Sequence, residues 1–206
     1  LLLGALADAG AQTLDIERIA QHRGSRLGQM PDAAQPSQKK FESDLLAAID
    51  ALDPGRPVFV EAESRRIGTI QLPDAVLQRM HAGTRIVVRT SLPQRIALLK
   101  TEYRHFLDNP ALLVERLRPL LPLHGKAPLA RWEAMAAGGD WDALVGELLE
   151  LHYDPLYRRS LARHFPMAGD DAVFEVCDVS AAGFATLAAD MLAAIDEARA
   201  APLERR

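Results

Sequence analysis

The sequence predicts an α/β domain with a parallel sheet and a helical insertion before the last strand. Three observations carry this. Short β-branched runs alternate with segments of helical period, the pattern of strand–helix–strand units. One run, PVFVEAES (57–64), passes from apolar residues straight into charge, as strands of an open parallel sheet do where they meet a ligand. The block 110–165 reads as helical and is too long for a simple crossover.

Taken in order, the chain opens with LLLGALADAG, where Leu2, Leu3, Leu6 and Ala9 share a helical face. No Ser, Thr, Asp or Asn caps that face, so we read the chain as entering a helix already begun, in part of a longer protein. QTLDIE (12–17) is a short strand. A loop rich in Gly, Pro, Gln and Ser runs from His22 to Ser37. FESDLLAAIDAL (41–52) places Phe41, Leu45, Ile49 and Leu52 on one helical face. DPGR (53–56) is a turn. PVFVEAES is the second strand, opening as a buried one. LPDAVLQRMHAG (72–83) is a helix with Pro73 in its first turn and Gly83 as its stop.

RIVVRTS (85–91) is the third strand. Ser91 and Gln94 fit a capping box, and Leu92, Ile96, Leu99, Tyr103 and Phe106 form the stripe of the helix behind it. AVFEVCDV (172–179) is the last strand, in which Cys177 alternates towards the core. A helix through Leu187, Met191 and Ile195 follows, and the tail APLERR frays.

At 206 residues the chain has room for one α/β domain. Its apolar content of 49% and charged content of 25% are those of a globular protein. No apolar run approaches the ~20 residues of a membrane span, and no signal peptide is visible. One cysteine excludes an internal disulfide and a cysteine-rich metal site, which makes the cytoplasm the default location. The net charge of −4 argues against indiscriminate nucleic-acid binding but leaves a local basic patch open.

Such a patch is visible. Between residues 21 and 40, Arg23, Arg26, Lys39 and Lys40 stand against Asp32, a local charge of +3 with His22 set aside. Arg65 and Arg66 add to it from the end of the second strand. Guanidinium forks match phosphate oxygens, so this rim reads as a phosphate or polyanion site. An apolar strand ending in acids adds a second role. Glu61 and Glu63 are candidates for holding magnesium or for moving a proton, and lie on one side if the strand continues. An ion pair between Glu63 and Arg65 or Arg66, organising the loop, explains the spacing equally well. The opening helix, followed at short range by a strand, fits a P-loop domain whose G-x-x-x-x-G-K-[ST] turn lies upstream.

LDIERIAQHRGSRLG (14–28), QPSQKKFES (35–43) and VFVEAESRRIG (58–68), in that order, resemble the bacterial tRNA 2-selenouridine synthases. HYDPLYRRS (152–160) adds a weaker likeness. The resemblance implies a P-loop kinase-like parallel sheet lacking its first strand, within one truncated domain over 1–206. It implies geranylation of wobble 2-thiouridine from geranyl diphosphate, then exchange of the geranylated sulfur for selenium from selenophosphate. It carries over to His22, Arg23, Gly24 and Ser25, to Gln35, Ser37, Gln38 and Lys39, and to Glu61, Glu63, Ser64, Arg65 and Arg66. Glu61 and then Glu63 take the metal or base role, while Arg23, Lys39, Arg65 and Arg66 take phosphate. For His22, a loop histidine bonded to a carbonyl is the plainer reading.

The sequence departs from the family in two places. The N-terminal rhodanese-like domain with its cysteine is missing, and so is the phosphate-binding loop. We therefore expect little catalysis from this chain alone, and a break between the strand pairs QTLDIE/PVFVEAES and RIVVRTS/AVFEVCDV. The tRNA anticodon loop is the expected partner. Tyr153, Tyr157, Arg158 and Arg159, with Tyr103, Arg104, His152 and Arg163 near them in pattern, interleave rings and arginines as unpaired bases require. Tyr103 fits its helix's core stripe better, and Trp132 and Trp141 fit a core. Two other functions remain open: another P-loop nucleotide kinase, and a non-catalytic tRNA-binding module.

Overall fold

The computed structural model describes residues 1–25, 27–31, 33–164 and 171–200. Arg26, Asp32, the 201–206 tail and the side chain of Arg163 lie outside this description. The chain divides into two compact units, one of residues 1–89 with 170–206 and one of Thr90–Gly169.

In the first unit, α1 (Leu2–Asp8) has no side-chain cap and buries Leu6, packing on α12 (Ala181–Ala200). β1 (Gln12–Leu14) pairs in parallel with β2 (Val58–Val60), Leu14 opposite Val60. The sequence predicts a strand through Glu17, but β1 ends three residues earlier. Asp15 caps a helix instead, its carboxylate accepting from the Arg18 amide at 2.8 Å, and α2 (Ile16–Ala20) begins. That helix ends in the left-handed region at Gln21 (φ 50°).

The second helix of the sequence reading is present as α3 (Gln38–Asp50), capped by Ser37, with Phe41 and Leu45 buried. β2 is also shorter than predicted: it stops at Val60, and Val58 is exposed. Beyond it lies a hairpin that the sequence reading misses. β3 (Arg66–Ile67) turns through Gly68 and Thr69 into β4 (Ile70–Gln71), with Gly68 at φ 59°. Ile67 and Ile70 from this hairpin join Leu14, Ile16, Ala20, Phe41, Leu45, Leu72 and Leu77 in one core. Leu77 comes from α4 (Asp74–His81), which has Pro73 at its N-cap.

β5 (Ile86–Thr90) pairs with β6 (Ala172–Val176). Among the described residues no ladder joins β1–β2 to β5–β6, the place where the sequence predicts a break. Cys177 lies just past β6 and is exposed, against the buried strand position predicted for it, because its neighbour Val176 takes the inward-facing place.

The second unit is helical: α5 (Leu92–Glu102), α6 (Arg104–Asp108), α7 (Pro110–Leu117), α8 (Leu121–His124), α9 (Lys126–Gly138), α10 (Trp141–Leu148) and α11 (Asp154–His164). It begins before residue 110 because α5 packs on α10, with Lys100 paired to Asp142 at 2.5 Å. Its core centres on Trp132, fully buried, whose indole N–H donates to Glu147 at 3.1 Å. Ser91 is the N-cap of α5 without bonding its amides. Its hydroxyl donates to Gln94 Oε1, so the predicted box is not formed. The predicted stripe to Phe106 is broken at Tyr103, where α5 ends and the ring stacks on Phe106.

Candidate functional site

The end of β2 does not run on as a strand. Glu63 N–H donates to the Glu61 carbonyl at 2.9 Å, a tight turn about Ala62. That turn, rather than the two-residue period of a strand, brings both acids to one place. Glu61 Oε1 accepts from the Glu17 amide in the first turn of α2 at 2.7 Å. Its other oxygen, Oε2, is buried and has no partner among the described residues. The Glu63 and Glu17 carboxyls converge under the loop, each with an oxygen within 3.0 Å of where a Cβ on Gly24 would lie. Glu17 is thus the site residue that sequence reasoning missed. Its only signal was its place in the LDIERIAQHRGSRLG block.

The loop after α2 closes over these acids. A lone bridge joins His22 to Gln29, Arg23 N–H donates to Gly28 O at 2.8 Å, and Ser25 N–H reaches back to Arg23 O at 2.6 Å. This tight turn places Gly24 at φ 65°, where a side chain is strained. A Cβ there would lie 2.5 Å from Glu63 Oε1 and 2.9 Å from Glu17 Oε1. The HRGS glycine is demanded by the positive φ of the turn, and a side chain there would also push the two carboxylates aside.

Crowding sets the electrostatics. Burial pushes Glu61 up to about 7, against the lowering effect of the Glu17 and Glu61 amides. Burial also raises Glu17, to about 8, helped by Glu63 and Asp15. Glu63 is raised too, chiefly by burial. His22 is buried, its Nδ1 has no partner among the described residues, and its pKa is lowered by burial. A neutral imidazole at the end of α2 is the result.

Among the described residues no three His, Cys, Asp or Glu side chains are disposed to hold a metal ion.

The glutamines of QPSQK have protein partners. Gln35 Nε2 donates to Ala20 O and Ile67 O at 3.2 and 3.0 Å, and Oε1 accepts from Thr69 N and Oγ1. Gln38 exchanges two bonds with the Gln71 backbone. Both tie the loop to the β3–β4 hairpin. Ser37 caps α3, and the Ser64 hydroxyl donates to Arg66 O at 2.8 Å.

The basic residues are more open. Arg65 pairs with Asp74, Arg66 Nε donates to Gly68 O at 2.9 Å, and Lys39 is exposed in the first turn of α3. The alternative pairing of Glu63 with Arg65 or Arg66 is thus not adopted. The exposed Arg65–Asp74 pair is worth at most about 1 kcal/mol, so an arriving phosphate can compete for the guanidinium.

The aromatic set lies in the helical unit. A π-helical turn, Leu149–Tyr153, turns His152 inward, where it meets His124 at 3.0 Å. The Tyr153 ring packs edge-on against His152, whereas Tyr157 is exposed. Arg158 Nε donates to Asp154 O at 3.2 Å, and Arg159 is exposed.

Parallel strand pairing, acids beyond a strand's carboxyl end and a glycine loop folded over them define an α/β domain with its charge gathered at a strand end. Residues 4–118 match the family model described as the tRNA 2-selenouridine synthase AAA domain. That is more than half of the chain, and the chain belongs to this family. The tRNA 2-selenouridine synthase of Alcanivorax borkumensis is 29% identical over 181 residues, covering 73% of this chain and 49% of the relative. That of Cupriavidus pinatubonensis is 34% identical over 149 residues, covering 66% and 39%. That of Nitrosomonas europaea is 36% identical over 112 residues, covering 53% and 28%. The matches thus span about a quarter to a half of these relatives' own length. No solved structure matches the chain.

Proposed function

We propose that this chain supplies the donor-handling half of a tRNA 2-selenouridine synthase, the activity its relatives are named for. In this reading the whole protein transfers a geranyl group from geranyl diphosphate to wobble 2-thiouridine in a tRNA anticodon loop. It then exchanges the geranylated sulfur for selenium from selenophosphate.

The observation that carries the reading is Glu61. It is a buried carboxyl held near neutrality at a strand end, in a unit whose HRGS loop carries Arg23, whose α3 carries Lys39, and whose hairpin and its approach carry Arg66 and Arg65. A group poised near 7 both takes and gives up protons at working pH. In geranyl transfer, sulfur forms its bond to the geranyl carbon as that carbon's bond to diphosphate oxygen breaks. The thiouridine ring nitrogen loses its proton, which Glu61 accepts, and the diphosphate leaves against the arginines and Lys39. Tyr157, Arg158 and Arg159 suit an unpaired base and its phosphates, with Tyr153 beneath them as support. No helix among the described residues is long and apolar enough to cross a membrane, in keeping with a cytoplasmic tRNA-modifying enzyme.

Calorimetric titration of the chain with geranyl diphosphate, ATP and unmodified tRNA tests this. We expect geranyl diphosphate to bind at least tenfold more tightly than ATP, and tRNA to bind with affinity that falls as salt rises. Tighter binding of ATP would favour a kinase, and tRNA binding without donor binding would favour a binding module.

A further inference from the structure

Glu17 carries no role in the proposed chemistry, yet it bonds Glu61, which does, and stands beside Glu63. Its amide donates to Glu61 Oε1 at 2.7 Å, and its carboxyl stands with that of Glu63 against Gly24. Its placement follows from local sequence. Asp15 caps α2 directly after β1, and β1 lies beside β2, so the first turn of α2 meets the end of β2. Gly24 closes the arrangement, since any side chain there would strike both Glu17 and Glu63.

Two carboxyls in hydrogen-bond contact need one proton between them, because two anions have none to donate. The charged groups that act on that proton are Glu61 and Asp15.

We infer that Glu17 is a positioning residue of this site: it fixes Glu61 through its amide and holds Glu63 through a shared proton, which leaves Glu61 Oε2 as the oxygen available to accept a proton. The inference rests on the reading of the strand-end acids as the donor site. When the shared proton is lost above neutrality, two like charges face each other under the HRGS loop. The HRGS loop, which carries Arg23, then shifts against the acids.

Carbon-13 carboxyl NMR of the chain tests the pairing directly. In the wild type we expect Glu17 to titrate near 8 and Glu63 above the usual range. In Glu63→Gln, Glu17 should fall by at least about one unit, and in Glu17→Gln, Glu63 should titrate as a single group. A loop-bracing role without a shared proton predicts instead that both carboxyls titrate independently between about 4 and 5, unmoved by each other's substitution. That outcome overturns the inference. Two variants are used so that failure of one to fold still leaves the other.

Pyrophosphate affinity at pH 6 and pH 8.5 gives the second readout. The wild type should weaken roughly tenfold at the higher pH, and Glu17→Gln should not. A wild type with the same pH response as Glu17→Gln counts against the inference. A wild type that binds no pyrophosphate at either pH rejects the donor-site reading, while the NMR result on the pair still stands.

Discussion

The backbone amide of Glu17 donates to the carboxylate of Glu61 across 44 residues of sequence, at 2.7 Å. This bond joins the start of α2 to the end of β2, so the geometry of the acids depends on the parallel pairing beneath them.

Acid burial predicts how stability responds to pH. Glu17 and Glu61 have folded pKa values above their unfolded ones, so the folded state binds more protons. Their contribution is fully present below the ordinary Glu pKa and is lost as pH rises through about 7 and about 8. The melting temperature should therefore fall by several degrees between pH 5 and pH 8.5. Glu61→Gln should flatten that slope, as scanning calorimetry would show. A chain that grows more stable over this range contradicts the burial of these acids.

Gly24→Ala should destabilise the chain by about 1–2 kcal/mol, from positive φ alone. The contact with Glu63 adds to this. Urea unfolding measures the loss, and a change below about 0.5 kcal/mol would mean the loop has moved away from the acids.

Gln35→Ala removes four bonds and strands the carbonyls of Ala20 and Ile67 beside a buried hairpin. We expect a cost of about 2–4 kcal/mol in urea unfolding. The hairpin amides, that of Thr69 first, should lose protection in hydrogen exchange.

Arg66→Ala and Lys39→Ala should each weaken diphosphate binding by about 1.5–3 kcal/mol, roughly ten- to a hundredfold, with little change in stability. Arg65→Ala should cost less affinity, because wild-type Arg65 must first leave Asp74. Calorimetric titration ranks the three.

Trp132→Ala should cost about 3–5 kcal/mol, since it empties the centre of the helical unit and leaves Glu147 without the indole donor. Near-ultraviolet circular dichroism together with urea unfolding would report both effects.

Helix α3 was legible because Phe41 and Leu45 repeat at helical spacing and Ser37 stands where a cap belongs. Strand β1 was legible only in part. Leu14 fits a strand, but Asp15 can serve either a strand or a cap, and the choice depends on whether residue 18 offers an amide. The β3–β4 hairpin was missed because two-residue strands carry too little alternation to read. Its Gly68–Thr69 turn becomes decisive only when Gln35 clamps it. Cys177 was misplaced because the alternation of β6 buries Val176 and so turns the next side chain outward.

The sequence by itself determined the α/β class, the family and the three blocks that carry charge, because periodicity and short motifs are properties of neighbouring residues. Only the tertiary structure decided what those charges do. It gave Gln35 and Gln38 to the hairpin and Arg65 to Asp74, and it brought Glu17 to Glu61 and Glu63. These are contacts between segments far apart in the chain. Burial, which moves the acids towards neutrality, arises only once those segments have packed.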